Sequence, residues 1–147
     1  MRAGYPEGED MSKELNEFLK KMMVIPYVHK GRGYEGADCG GGIMIFYQDF
    51  LGIALPDFDI EYDINWSVKG DKSLFIENYY KFFEKVDKPA LYDIVLFQNK
   101  KGIANHGGVV LGCGKFFHIY KSGASINRYN DETFKRRLNG FYHLKKA

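Results

Sequence analysis

The side chains able to serve as nucleophile or base are few: two cysteines, Cys39 and Cys113, and four histidines, His29, His106, His118 and His143. Cys39 stands in Gly36-Ala37-Asp38-Cys39-Gly40-Gly41-Gly42, directly ahead of an apolar stripe (Ile43, Phe46, Tyr47, Phe50, Leu51) at helical spacing. That places the thiol at or just before a helix N-terminus. Unpaired backbone N–H groups there carry partial positive charge, so the thiolate is expected to be favoured. Three glycines inside a helix start cost about 1 kcal/mol each relative to Ala. They are explained if another backbone, or an extended substrate, must approach closely. The competing reading is a buried cysteine beside a flexible loop.

His106 and His118 flank Gly112-Cys113-Gly114, which reads as a three-residue hairpin turn. Leu111 then pairs with Lys115, position 108 faces 118 and position 106 faces 120. His106, Gly108 and Val110 would share a face with Phe116, His118 and Tyr120, making the two imidazoles diagonal neighbours. A two-residue turn without a bulge would separate them onto opposite faces. A cysteine with a histidine pair is thiol-hydrolase chemistry, with Cys39 as nucleophile, His106 as base and His118 orienting it. The Cys39 backbone N–H and one further donor would hold the oxyanion. A zinc site built from Cys39, His106 and His118 ranks lower, because no pair has finger-like spacing and a fourth ligand is not evident. No metal and no cofactor is expected. Cys113 reads as incidental to the turn, and His29 and His143 as surface residues.

These residues need a scaffold. The chain has 147 residues, room for one core, and 45% hydrophobic with 27% charged residues excludes disorder and a membrane-embedded chain. Two cysteines exclude a disulfide-stapled scaffold. A net charge of +2 does not indicate nucleic-acid binding. Twelve Phe, eleven Tyr and one Trp supply either a thick core or an adhesive groove.

Residues 1–11 read as a flexible tail without a secretory signal and 12–147 as a single domain, with 57–88 a variable insert. No run is long enough for membrane insertion. Synthesis in a reducing cytoplasm, with both cysteines as thiols, is expected. Ser12 is the expected N-cap of a first helix carrying Leu15, Phe18, Leu19, Met22 and Met23, ended by Pro26. Ile60 to Trp66 alternates like a strand, and Asp71 to Val86 suits a third helix. Strands follow at Asp93–Phe97, Ile103–Leu111, Lys115–Tyr120 and Ser125–Arg128, then a short helix near Asp131–Leu138 and a last strand at Phe141–Leu144. Helices first and consecutive strands after argue for α+β with an antiparallel sheet.

Five motifs in order resemble the NlpC-like family of cell-wall cysteine peptidases: Ile25-Pro26-Tyr27-Val28; Gly36-Ala37-Asp38-Cys39-Gly40-Gly41; Gly52-Ile53-Ala54-Leu55-Pro56; Tyr92-Asp93-Ile94-Val95-Leu96-Phe97; and His106-Gly107-Gly108-Val109 with Phe117-His118-Ile119. The likeness runs from about Leu15 to the C-terminus. It implies a papain-like fold with the nucleophile helix packed on an antiparallel sheet, and Cys39, His106 and His118 as catalytic residues. It also implies Tyr27, Asp38 and Gly40 as substrate-binding and oxyanion positions. Gly40 and Gly107 depart from the Ser and Val of the family pattern. The stretch from Phe134-Lys135-Arg136-Arg137 to Gly140-Phe141-Tyr142 resembles the phage-tail branch. The resemblance thus implies a peptidoglycan endopeptidase carried on a virion tail, with bacterial peptidoglycan and tail-tip proteins as partners. The alternatives are a catalytically weak tail-tip structural protein, or an amidase or acyltransferase on the same triad.

Overall fold

The computed structural model describes residues 11–55 and 81–145. Helix α1 (Met11–Met22) starts one residue ahead of the expected cap, with Glu14 in its first turn and Lys20 and Lys21 in its last, complementing the helix dipole. It buries Leu19 and Met22 and rests Leu15 and Phe18 on the core. A short ribbon follows, β1 (Arg32–Gly33) against β2 (Gly36–Ala37). Helix α2 (Cys39–Ile45) continues as a π-helical stretch, Phe46–Leu51. Gly52 ends it in the left-handed region (φ 72°), its N–H bonded to the Tyr47 carbonyl.

The rest is β3 (Phe83–Val86), β4 (Ile94–Gln98), β5 (Ala104–Gly112), β6 (Lys115–Tyr120), β7 (Gly123–Arg128), the single-turn α3 (Glu132–Lys135) and β8 (Leu138–Leu144). The strands form one antiparallel sheet in the order β3-β8-β4-β5-β6-β7. This is the α+β architecture expected from the element order. One expectation fails: Phe83–Val86 is not the end of a helix but a strand paired with β8. Phe83 is buried there while Glu84 and Lys85 stay exposed, as befits a charged edge strand that completes the sheet beside β8. The insert expected over 57–88 therefore includes a sheet strand. The remainder of that helix and the strand expected at Ile60–Trp66 lie outside the described residues.

The central strands are buried on both faces. Ile94, Leu96, Val109, Phe117 and Ile119 pack under α1 and α2 with Phe46 and Tyr47. Val95, Phe97, Val110, Phe116 and Phe141 form a second cluster on the opposite face, covered by Phe134 and Leu138. Alternation along β4 and β6 thus feeds two apolar layers, and much of the aromatic content is core.

The β5–β6 turn differs from expectation in an instructive way. Gly112 pairs with Lys115, so the loop is the two residues Cys113 and Gly114, both at positive φ (53° and 77°) as a type I′ turn requires. An irregularity between Val110 and Gly112 absorbs one residue and restores Val110 opposite Phe116 and Val109 opposite Phe117. The register beyond it is the expected one, and the histidines share a face.

The glycine run after Cys39 has a packing cause. A Cβ on Gly41 would lie 2.1 Å from the Gly31 carbonyl oxygen, and one on Gly42 would lie 2.9 Å from Ile119 Cδ1. Another backbone does approach closely, and α2 is drawn against both the β1 loop and the sheet. Gly41→Ala should therefore destabilise the fold by about 1–3 kcal/mol despite Ala being the better helix former. Gly33→Ala, which meets nothing within 4 Å, should stay within about 0.5 kcal/mol of the parent. Urea unfolding of both variants checks this, and a stabilised Gly41→Ala would contradict it.

Candidate active site

Cys39 is the first residue of α2 and Asp38 is its N-cap, the carboxylate accepting from the Gly41 N–H at 2.8 Å. The same carboxylate accepts from the Lys30 N–H at 3.1 Å and from Arg32 Nη1 at 2.8 Å, while Arg32 also donates to the Gly31 carbonyl. Tyr27 is drawn in by backbone pairing of Pro26 and Val28 with Ala37. Burial raises the Tyr27 phenol pKa, and the Asp38 and Cys39 charges raise it further. Tyr27, Asp38 and Gly40 are thus gathered around the Cys39 sulfur.

The histidines come from the sheet. His106 Nε2 lies 2.7 Å from His118 Nδ1, and His118 Nε2 lies 2.8 Å from Asn127 Oδ1. Ser125 Oγ donates to the same Asn127 oxygen at 2.6 Å. The Gly107 N–H, one residue past His106, hydrogen-bonds the Cys39 sulfur, as does the Gly40 N–H. The Gly107 N–H thus brings β5 beside the Cys39 sulfur, while the two imidazoles are bonded to each other. The direct bond between the two rings occupies one nitrogen of each. It opposes the zinc reading, which needs both rings turned to a common ion.

The electrostatics correct one expectation. The helix start does not yield a ready thiolate. Burial, then the Asp38 carboxylate, push the Cys39 pKa up to about 12, against partial relief from the Gly107 and Gly40 N–H groups and Arg32. The histidines are dry as well. Phe97 stacks on His106, while Phe116 and Phe134 flank His118. Burial holds the His106 pKa well below its usual value, with His118 and Arg137 adding to the effect. Burial also lowers that of His118, partly opposed by the Asn127 hydrogen bond. Burial therefore favours the neutral thiol at Cys39 and the neutral imidazole at His106.

Other assignments change. His143 is not a bystander: its Nδ1 lies 2.7 Å from Oδ1 of the buried Asp93, tying β8 to the start of β4. His29 is half-buried rather than on the surface. Cys113 is exposed in its turn, its carbonyl accepting from Arg128. Arg32, Ser125 and Asn127 carry no motif that singles them out in the sequence. Asn127 had a usable signal: a two-residue turn at Lys121-Ser122 puts His118 opposite Ser125, with Asn127 one diagonal step along the same face.

Two measurements test this resting state. In a Cys113→Ser background, thiolate absorbance should show no titration step below about pH 9; a step near neutrality would contradict the neutral pair. Both histidine pKa values are lower folded than unfolded, so the unfolded chain binds more protons in acid. Their contribution is therefore complete above the unfolded value of about 6.5 and is lost as pH falls from there toward the folded values. Urea midpoints should drop across that window, and a constant midpoint between about pH 7 and 5 would contradict the assignment.

Residues 24–143 match the NlpC/P60 family. The chain is 31% identical over 125 residues to the gamma-DL-glutamyl hydrolase of Bacillus subtilis (strain 168), covering 82% of this chain but only 26% of that protein. Among solved structures, it superposes on a lipoprotein-like NLP/P60 family protein from Staphylococcus aureus subsp. aureus Mu50 with a TM-score of 0.67 at 19% identity, covering 97% of this chain and 44% of the other. An NlpC/P60 family protein from Bacillus cereus ATCC 10987 gives 0.65 at 20% identity, covering 93% and 40%. The NlpC/p60 domain of the peptidoglycan hydrolase SagA gives 0.53 at 17% identity, covering 89% and 94%. The chain spans about a quarter of the curated relative and less than half of the first two structures, but nearly all of the isolated domain. With most of its length matched and the antiparallel sheet and nucleophile helix in place, this chain belongs to the NlpC/P60 family.

Proposed function

We propose that this domain is a cysteine endopeptidase that hydrolyses amide bonds in peptidoglycan stem peptides, near the D-Glu–diaminopimelate linkage. The observation that carries the reading is the Cys39 sulfur seated against the N–H that follows His106, with His106 bonded on to His118. Family membership supports it. The relative named a gamma-DL-glutamyl hydrolase supports a γ-glutamyl amide as the scissile bond, the linkage that D-Glu makes in a stem peptide.

In this mechanism Cys39 Sγ attacks the carbonyl carbon while its proton passes to His106. The Cys39 backbone N–H and one further donor hold the oxyanion. Collapse breaks the C–N bond, and His106 returns the proton to the leaving amine. Water, deprotonated by His106, then attacks the thioester and releases the acid and the free thiol. Tyr27, Asp38 and Gly40 shape the acyl side of the cleft. The finer reading places the enzyme on a phage tail tip, where tail proteins would carry it to the bacterial wall. Its support is the likeness of the Phe134–Tyr142 stretch to tail-associated relatives.

Cys39→Ala should abolish release of peptides from purified sacculi while leaving the urea midpoint nearly unchanged, and His106→Ala should lower the rate by about 10³-fold or more. Mass spectrometry of the fragments identifies the cleaved bond, with poly-γ-glutamate as a comparison substrate. Undiminished lysis by Cys39→Ala would overturn the assignment. Labelling of phage particles with an antibody to this chain tests the tail location.

A further inference from the structure

The side chain of Asn127 ends the hydrogen-bonded row that starts at His106, and its chemistry decides which way every proton in the row points. A carboxamide oxygen can only accept. Asn127 Oδ1 lies 2.6 Å from Ser125 Oγ, which donates to it, and 2.8 Å from His118 Nε2. His118 Nε2 must then carry a proton, which leaves neutral His118 with a lone pair on Nδ1. That nitrogen is 2.7 Å from His106 Nε2, so His106 Nε2 must carry the next proton. The remaining nitrogen of His106, Nδ1, is left unprotonated. If the carboxamide were turned so that its NH₂ met His118, both tautomers would reverse. His106 Nδ1 would then hold a proton and could accept none.

We propose that Asn127, held by Ser125, is a positioning residue that locks His118 and His106 as Nε2–H tautomers, so that His106 Nδ1 is the atom that receives the Cys39 proton. The inference rests on the peptidase reading for Cys39 and His106 and adds a part to it: the orienting unit is a row from β5 through β6 to β7. The surroundings leave little else to set the tautomers. Phe97, Phe116 and Phe134 present only ring atoms to the pair. Among the described residues, Arg137 ahead of β8 acts on His106 as a charge and Tyr120 at the end of β6 meets its ring. A cation at Arg137 disfavours imidazolium in either tautomer and so does not choose between them.

The test compares the full chain with Asn127→Asp, Asn127→Leu and Ser125→Ala. Histidine tautomers are read by long-range ¹H–¹⁵N NMR, and kcat and KM by sacculus hydrolysis over pH. The parent should show Nε2–H at both rings. Asn127→Asp still accepts from His118, so it should keep that pattern and turn over, but with the acid limb of kcat/KM moved to higher pH, because a carboxylate favours the imidazolium. Asn127→Leu removes the acceptor, so Nδ1–H should become populated at His118. Its kcat should fall roughly 10- to 100-fold with KM unchanged. Ser125→Ala should fall between parent and Leu in both readouts. Nε2–H at both rings of Asn127→Leu, with kcat within about twofold of the parent, would overturn the inference. If the Leu variant does not fold, the Asp and Ala variants decide: reversed tautomers in Asn127→Asp, or no change in Ser125→Ala, would equally overturn it. The NMR arm needs no substrate. A parent with the expected tautomers but no wall hydrolysis would remove the peptidase reading and leave the row standing.

Discussion

The Asp38 carboxylate is the point on which the site turns. It caps α2 through Gly41, anchors the preceding loop through the Lys30 N–H and holds the Arg32 guanidinium. One buried group thus binds the loop, the ribbon and the helix that carries Cys39. A buried carboxylate is tolerated only when paired and hydrogen-bonded, and both conditions are met here. Tight seating of the glycines against Gly31 and Ile119 does the rest, because nothing larger would let α2 approach the sheet. The anchor has an electrostatic cost, since the carboxylate raises the thiol pKa that the helix start would lower. Arg32 returns part of that effect, so the ion pair both anchors the start of α2 and limits the rise in the thiol pKa.

The sheet poses the complementary constraint. Its central strands are buried on both faces, and the two histidines lie among aromatic rings in the smaller apolar layer. Such a setting suppresses imidazolium, strengthens the short hydrogen bonds along the row and keeps neighbouring water from competing. A neutral base of this kind stays unprotonated below neutrality. The Cys39 thiol, half-buried against the other layer, is held neutral by burial and by the Asp38 carboxylate. On the proposed peptidase reading, activation comes from geometry at the moment of attack rather than from a standing thiolate–imidazolium pair. On the same reading, two N–H donors back the Cys39 sulfur and a chain of hydrogen bonds sets the free nitrogen of His106.

Family membership supports the peptidase reading proposed for the site. The Staphylococcus aureus and Bacillus cereus proteins are more than twice as long as the portion they share with this chain, and the Bacillus subtilis hydrolase is about four times as long. What is shared is the domain that holds the nucleophile helix on the sheet.

Much was legible in the sequence because the governing physics is local. Apolar spacing marked α1 and the helix after Cys39, glycine and proline marked their ends, and short apolar runs separated by Gly and Ser marked β4 to β7. The face shared by His106 and His118 followed from strand parity, although the turn that enforces it is a two-residue corner plus a bulge. What tertiary structure alone decided was everything set by non-local partners. Phe83–Val86 has helical spacing in the sequence but becomes a strand because β8 leaves an edge to pair. The Cys39 pKa depends on burial and on a carboxylate next to it, which outweigh the helix start. His143 gains its role only when β8 returns beside Asp93, fifty residues earlier. Residue types and spacing name the chemistry. Dielectric, proton direction and edge pairing arise from which distant segments pack together, and short-range pattern carries no record of that.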